Sequence, residues 1–240
     1  PDYIPTRGHL TLQGKKISKS RNWYIGLKQF LEYYPADYLR FYLVSINPYS
    51  QDDLNFDWDD FTTRINSELI GNLGNFVNRA LGFTKKAFDG KIPEIDSFDE
   101  KDSEAEEKIK SLASDVGSLM EQNHLDRALK KIMEFSSHFN QYFQHKEPWK
   151  KGSGTVNCVF LSVNAVRSLA ISLFPFMPES TQKIWNQLGL DGNVADISWS
   201  DMSILGISSG SLLGEASPLF ARVESSDIAK HKEALGPSES

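Results

Sequence analysis

From Ile65 to Phe83 the side chains Ile65, Leu69, Leu73, Phe76, Ala80 and Phe83 recur at steps of four, four, three, four and three residues. That is one apolar face of a helix, which a strand or a loop does not present. Asp57-Trp58-Asp59-Asp60 opens the run. Asp57 is a suitable N-cap, and the acids beside it suit the positive end of a helix. The run ends near Asp89-Gly90. A face of this length must be covered, so the chain must supply other helices. Glu104–Met120, Leu125–Phe143, Val156–Phe174 and Ser180–Leu188 have the pattern. Val156–Phe174 is apolar almost all round and therefore central. It holds Asn157, Asn164 and Arg167 and ends near Pro-Phe-Met-Pro, which favours a bundle core over a membrane span because a charge at mid-bilayer is expensive.

The residues in front of this run read differently. Residues 9–16, HLTLQGKK, alternate about Gln13-Gly14 as a short strand or hairpin, and Lys15–Asn22 is a polar, basic loop. Gly26–Tyr34 and Asp37–Ile46 are helices, stopped by Pro35 and by Asn47-Pro48. After Gly192 the chain turns Ser/Gly-rich. It then offers a short anchor, Pro218-Leu219-Phe220, and a weak helix over 226–235, with a loose tail expected from Gly236 to Ser240. The fold class is mainly α, a bundle of about five helices behind a small α+β unit. The divisions are 1–50, 51–200 and 201–240.

The chain has 240 residues, 40% of them hydrophobic, so it can bury a core and is not a disordered chain. One cysteine, Cys158, excludes a disulfide framework and a cysteine-based zinc site, and a reducing cytoplasm is the expected compartment. Pro1-Asp2-Tyr3 brings neither methionine nor leader, so a piece of something longer is expected. The net charge of −6 conceals a pattern. Residues 1–50 hold seven basic and three acidic side chains, 64–91 five and two, and 124–151 six and three. Basic segments on an acidic background fit a polyanion, or else scatter on solvated faces.

Three motifs carry chemistry. Lys16-Ile17-Ser18-Lys19-Ser20 places two mobile ammonium groups among hydroxyls on a loop, which can wrap a polyphosphate or simply be solvated. On the long helix, Asn72, Asn75 and Arg79 fall on one flank of the apolar face at about 100° per residue. Carboxamides and a guanidinium there suit a base edge, or else hydrogen bonds between helices. In Glu147-Pro148-Trp149-Lys150-Lys151 proline frees a tryptophan at a basic corner, a platform for an unstacked base or a core residue beneath a loop.

Taken together, GKKISKSR (14–21), ADYLRFYL (36–43), the block from Asp57 to Phe83 containing GNLGNFVNRA (71–80), EPWK (147–150) and PLFARVE (218–224) resemble the C-terminal half of methionyl-tRNA synthetases, class I aminoacyl-tRNA synthetases. The resemblance implies an ATP-dependent ligase joining methionine to its tRNA. Lys16, Ser18, Lys19 and Ser20 match the mobile signature loop, with Lys19, aided by Lys16, as the catalytic phosphate contact. Ile17 stands where methionine is usual. Asn75, Arg79, Pro148 and Trp149 match positions that read the CAU anticodon, with Trp149 stacking on its first base. Residues 1–50 would be the stem-contact unit and 51–200 the anticodon-binding bundle. ATP, with Mg2+ implied, is the expected cosubstrate. No metal site is expected in these residues, and zinc belongs to a domain they lack. The His-x-Gly-His signature is not in the sequence, so methionine would bind through another domain, and the piece alone is expected to be inactive and monomeric. Rival readings are a leucine, valine or isoleucine synthetase, and a non-enzymatic helical adaptor.

Overall fold

A computed structural model describes residues 4–152 and 154–236. The expected loose tail therefore lies outside the described residues beyond Gly236.

Strands β1 (Leu10–Leu12) and β2 (Lys15–Lys16) pair antiparallel, with Thr11 opposite Lys16. Gln13 (φ 51°) and Gly14 (φ 73°) both take positive φ, the turn whose twist matches a tight hairpin. A third strand, β3 (Leu54–Phe56), lies parallel to β1 and leaves β1 central. It was not expected. Leu54-Asn55-Phe56 alternates for only three residues amid Gln-Asp-Asp and Asp-Trp-Asp-Asp, too short a run to signal a strand, and a partner 44 residues away supplies the pairing. The helices α1 (Leu27–Tyr33) and α2 (Ala36–Ser45) form the crossover. Phe30, Tyr42, Phe56, Trp58 and Phe61 close the core of this unit edge to face, with Phe56 and Trp58 at 4.9 Å. Such pairs add about 0.5–1.5 kcal/mol each beyond their burial.

The long run begins as expected. The Asp57 carboxylate accepts from the Asp59 and Asp60 amides and starts α3 (Trp58–Arg64). Ile65–Gly74 then winds as a π-helix, and α4 (Asn75–Phe88) resumes the tighter coil until Asp89 turns left-handed at φ 52°. The two four-residue steps, Ile65 to Leu69 to Leu73, fall in the wider segment, and all three side chains are fully buried.

The bundle is completed by α5 (Glu100–Glu121), α6 (Leu125–Lys146), α7 (Thr155–Leu173) and α8 (Pro178–Gln187). α5 starts four residues before the expected Glu104 because Asp99 and Asp102 form a reciprocal cap. α7 is long and apolar enough to cross a bilayer, yet it is buried inside the bundle. Its polar side chains hold the segment that follows α8. Asn164 bonds both backbone groups of Ile207, Ser168 donates to the Met202 carbonyl, and Arg167 donates to that of Asp201 at 2.6 Å. Beyond the Pro218 anchor, α9 (Ser225–Glu233) returns to the front unit. There His231 stacks on Trp58 at 4.7 Å, and the Asn22 side chain donates to the Ala234 carbonyl.

Candidate nucleic-acid interface

Three elements meet at one corner of the bundle. α6 ends when Glu147 adopts φ 43°, and Pro148–Lys150 make one tight turn, after which Lys151 is again left-handed. Pro148 is buried and fixes this corner, whereas the Trp149 indole is 42% exposed. Arg79 reaches across from α4. Its guanidinium carbon lies 5.1 Å from the Phe143 ring and 5.9 Å from the indole, within cation–π range. Arg79 Nη2 also donates to Gln144 Oε1 at 2.8 Å. Asn75, one turn earlier and exposed, donates to Asn140 Oδ1 at 3.3 Å. The structure thus brings Trp149, Arg79 and Asn75 together over one strip of α6. The corner offers a ring face, a planar fork of donors and a carboxamide, which is what an unstacked base requires.

Asn72 belongs elsewhere. Its amide donates to the Met133 carbonyl, and Asn140 donates to its carbonyl and side-chain oxygens, so it binds α4's approach to α6. Of its two open readings, hydrogen bonding between helices describes it. Asn140, Phe143 and Gln144 of α6 were not singled out in the sequence. Their signal was present, since they sit three and four residues apart in Phe-Asn-Gln-Tyr-Phe-Gln (139–144) and share one face.

Behind the corner, Lys146 is nearly enclosed. Its ammonium lies 2.6 Å from Asp102 Oδ1 and 2.7 Å from Asp99 Oδ2. Tyr142 and Asn157 donate to the same Asp102 carboxylate. Burial works against the Lys146 charge, but the hydrogen bonds from the two carboxylates outweigh it and its pKa lies above the ordinary lysine value. The bond from Lys146 holds Asp99 below the usual carboxylate range. Cys158 is buried nearby, and desolvation pushes its thiol up to about 12, so it is no nucleophile.

The Lys/Ser motif sits on the small sheet and not at this corner. Lys16 ends β2, and Ser18 and Trp23 exchange both backbone hydrogen bonds at 2.8 Å, leaving Lys19, Ser20 and Arg21 as an exposed tip. The basic loop expected from Lys15 is therefore shorter, because Lys15 and Lys16 are strand residues. Ser18 and Ser20 hydroxyls lie 3.2 Å apart. Lys16 and Lys19 are exposed and make no ion pair among the described residues. No three His, Cys, Asp or Glu side chains converge to hold a metal ion among the described residues.

A helical bundle behind a small sheet with a basic hairpin tip is the architecture that the resemblance to tRNA ligases implies. Comparison with known families agrees. The family described as tRNA synthetases class I (M) matches residues 1–81, and the anticodon-binding domain of tRNA ligase matches residues 102–221. The chain belongs to this class I family and carries its anticodon-binding domain. It is 46% identical over 80% of its length to the methionine–tRNA ligase of Pyrococcus abyssi, covering 27% of that protein. It is 39% identical along its whole length to the methionine–tRNA ligase of Methanopyrus kandleri, covering 35%. The chain thus spans about a third of the curated relatives it matches. Among solved structures, Mycobacterium tuberculosis methionyl-tRNA synthetase in complex with methionyl-adenylate superposes with a TM-score of 0.78 at 26% identity, covering 90% of this chain and 43% of that one.

Proposed function

We propose that the chain is the loop-bearing and anticodon-reading portion of a methionine–tRNA ligase that works in the cytoplasm. Its partners are ATP and a methionine tRNA with a CAU anticodon, and methionine is held by a domain outside these residues. The observation that supports this best is the shared corner of Trp149, Arg79 and Asn75. Pro148 holds the turn, Trp149 stacks on the first anticodon base, and Arg79 and Asn75 offer hydrogen bonds to its edge. Splayed loop bases are the part of an RNA that side chains can read.

The hairpin tip serves the other substrate. Lys19, with Lys16, neutralises charge on the ATP phosphates as the carboxylate of methionine attacks the α-phosphorus and pyrophosphate leaves. Ser18 and Ser20 hydrogen-bond the same oxygens. Cations that meet the phosphates only when the loop closes act mainly on the transition state, which raises rate more than affinity. Residues 14–23 contain no carboxylate, so Mg2+ comes with the nucleotide and is not held by this loop. Residues 1–50 together with β3 are the stem-contact unit, the helices behind them up to residue 200 the anticodon-binding bundle and 201–240 an extension. The piece binds as a monomer and does not catalyse by itself.

The deciding experiment is tRNA binding by the chain and by Trp149→Ala. Loss of one stacked base should weaken binding to methionine tRNA by about 1–3 kcal/mol. Equal affinity for a tRNA with a leucine, valine or isoleucine anticodon would point to a sister enzyme, and unchanged affinity of Trp149→Ala would point to a helical adaptor.

A further inference from the structure

Ile65–Gly74 winds as a π-helix for ten residues, although such windings occur mostly as single turns inside α-helices. A run of this length needs its surroundings to hold it. Two glycines ease it from within. A Cβ at Gly71 would stand 3.4 Å from the Asn66 carbonyl oxygen, and one at Gly74 3.0 Å from that of Leu69, each five residues back. The support from outside comes from PLFARVE (218–224), a motif that neither the corner nor the hairpin tip uses. The Asn66 carboxamide accepts from the Val223 amide at 3.0 Å and donates to the Val223 carbonyl at 2.9 Å. Three residues earlier, Phe220 lies against Gly74, where a Cβ would meet its ring at 3.1 Å. Between these contacts the Tyr38 hydroxyl of α2 bonds both backbone groups of Ala221, at 2.7 and 2.8 Å.

The motif thus touches the π-wound run near its start and at its end, while α2 holds it from the front unit. Between Asn66 and Gly74 an α-helix would rise about 12 Å. The three steps from Phe220 to Val223 span at most about 10–11 Å. A wider winding rises less per residue, so the double grip favours it over the α form. Winding also decides where the next helix faces. Over ten residues an α-helix turns roughly half a turn further than a helix closed by i→i+5 bonds. At the end of the run the Asn72 amide donates to the Met133 carbonyl, and Asn140 ties Asn72 to Asn75 through its own carboxamide. Rewinding the run would turn this pair, and Arg79 beyond it, away from α6.

We infer that residues 218–224 are an alignment strap. By holding Asn66 and Gly74 they keep Ile65–Gly74 in its wide winding, and the winding sets the direction in which α4 presents Asn75 and Arg79. Asn66 is a positioning residue for the RNA corner: it meets the strap and acts through the helix. This rests on the anticodon reading of the corner, and it gives PLFARVE a task that is set by neither ATP nor a base contact.

The test titrates the chain with an anticodon stem–loop RNA bearing CAU, and with the same loop changed at its first anticodon base. Asn66→Ala should weaken binding of the CAU loop about fivefold, and that of the changed loop less. The penalty should vanish in a background carrying Asn75→Ala and Arg79→Gln, where nothing is left to aim. Asp57→Ala, which weakens the cap of the same helical run, should leave the ratio between the two loops unchanged. In the RNA-free chain, Asn66→Ala should quicken amide exchange over residues 65–79 and leave α5 protected. If Asn66→Ala unfolds, Tyr38→Phe frees the strap from its other side and must itself lower the ratio between the loops. A complex that depends on Trp149 and Arg79, but in which the Asn66→Ala penalty is absent, is equal on both loops or adds to that of the corner variants, overturns the strap and leaves the anticodon reading standing. Unchanged amide exchange over 65–79 also overturns it. A chain that binds the loop without Trp149 and Arg79 removes both.

Discussion

Replacing Lys146 by methionine takes an ammonium away from a carboxylate that has nowhere to go. The Lys146 and Asp102 side chains are 6% and 1% exposed, and their polar atoms are 2.6 Å apart. Methionine keeps the length and apolar stem, so packing changes little. Asp102 would keep the Tyr142 and Asn157 donors but lose its countercharge. Breaking a buried pair by removing one partner destabilises by about 3–5 kcal/mol. For a chain of this size that lowers the unfolding midpoint by roughly 6–20 °C. The matched comparison is Lys110→Met. Lys110 pairs with Glu106 and Glu107 on a solvated face, where screening leaves such pairs contributing little. Lys146→Met with Asp102→Asn should recover most of the loss, since a neutral pair needs no countercharge. The pH dependence follows from the shifts. A lysine with a raised pKa stabilises fully below its unfolded value and loses that contribution as pH rises through the folded one, so the Lys146 contribution fades only in strong alkali. Asp99, held low, stabilises above its ordinary value of 3.8, and that contribution fades as acid reaches its folded pKa. Between these limits the Lys146→Met deficit should be flat. Urea and thermal unfolding measure it. A deficit no larger than that of Lys110→Met, or a double variant that sums the two losses, would refute the reasoning.

The remaining predictions concern the corner, the loop and the long helix. Arg79→Gln loses the planar fork and the cation–π contacts, so tRNA binding should fall while discrimination against a changed first anticodon base falls further. Binding assays across anticodon variants check it, and equal losses on all of them count against base reading. In the full-length enzyme, Lys19→Ala should lower the adenylation rate far more than methionine affinity, as read by pyrophosphate exchange. Asp57→Ala removes the acceptor for two helix-start amides and should destabilise by about 0.5–2 kcal/mol in denaturant unfolding, with tRNA specificity unchanged.

What the sequence showed and what it hid follow from the range over which each feature is determined. The long helix, its Asp57 cap and the Gln13-Gly14 turn are local, and each was legible because period, cap and φ preference act within a few residues. The meeting of Trp149 with Arg79 was legible only as a pattern from a resemblance, since nothing within either segment says that α4 and the end of α6 are adjacent. β3 was illegible because its three residues become a strand through β1. The π-wound segment was illegible because steps of four fit both windings. The exposure of Asn75 and the engagement of Asn72 were equally open, and the difference lies in Asn140 and Met133 on another helix. Asn66 carries no signal of its own, since an asparagine on the flank of a helix is ordinary until Val223 bonds it.

The last of these long-range contacts bears on how the loop can move. The hairpin tip is tied at its base by the Ser18–Trp23 pair, by the Trp23 indole donating to the Leu12 carbonyl, and by Asn22, which bonds Ala234 and Gly236 beyond α9. α9 is held in turn by His231 on Trp58 and by the Lys232–Asp59 ion pair at the start of α3. Lys19 and Ser20 are therefore the exposed part of the tip, while its stem is fastened to the first turn of the long helix that carries Asn75 and Arg79. On the proposed reading, Lys16 is already fixed in β2 and little order has to be gained when Lys19 meets phosphate, so its charge would act on the transition state and not on a search for it.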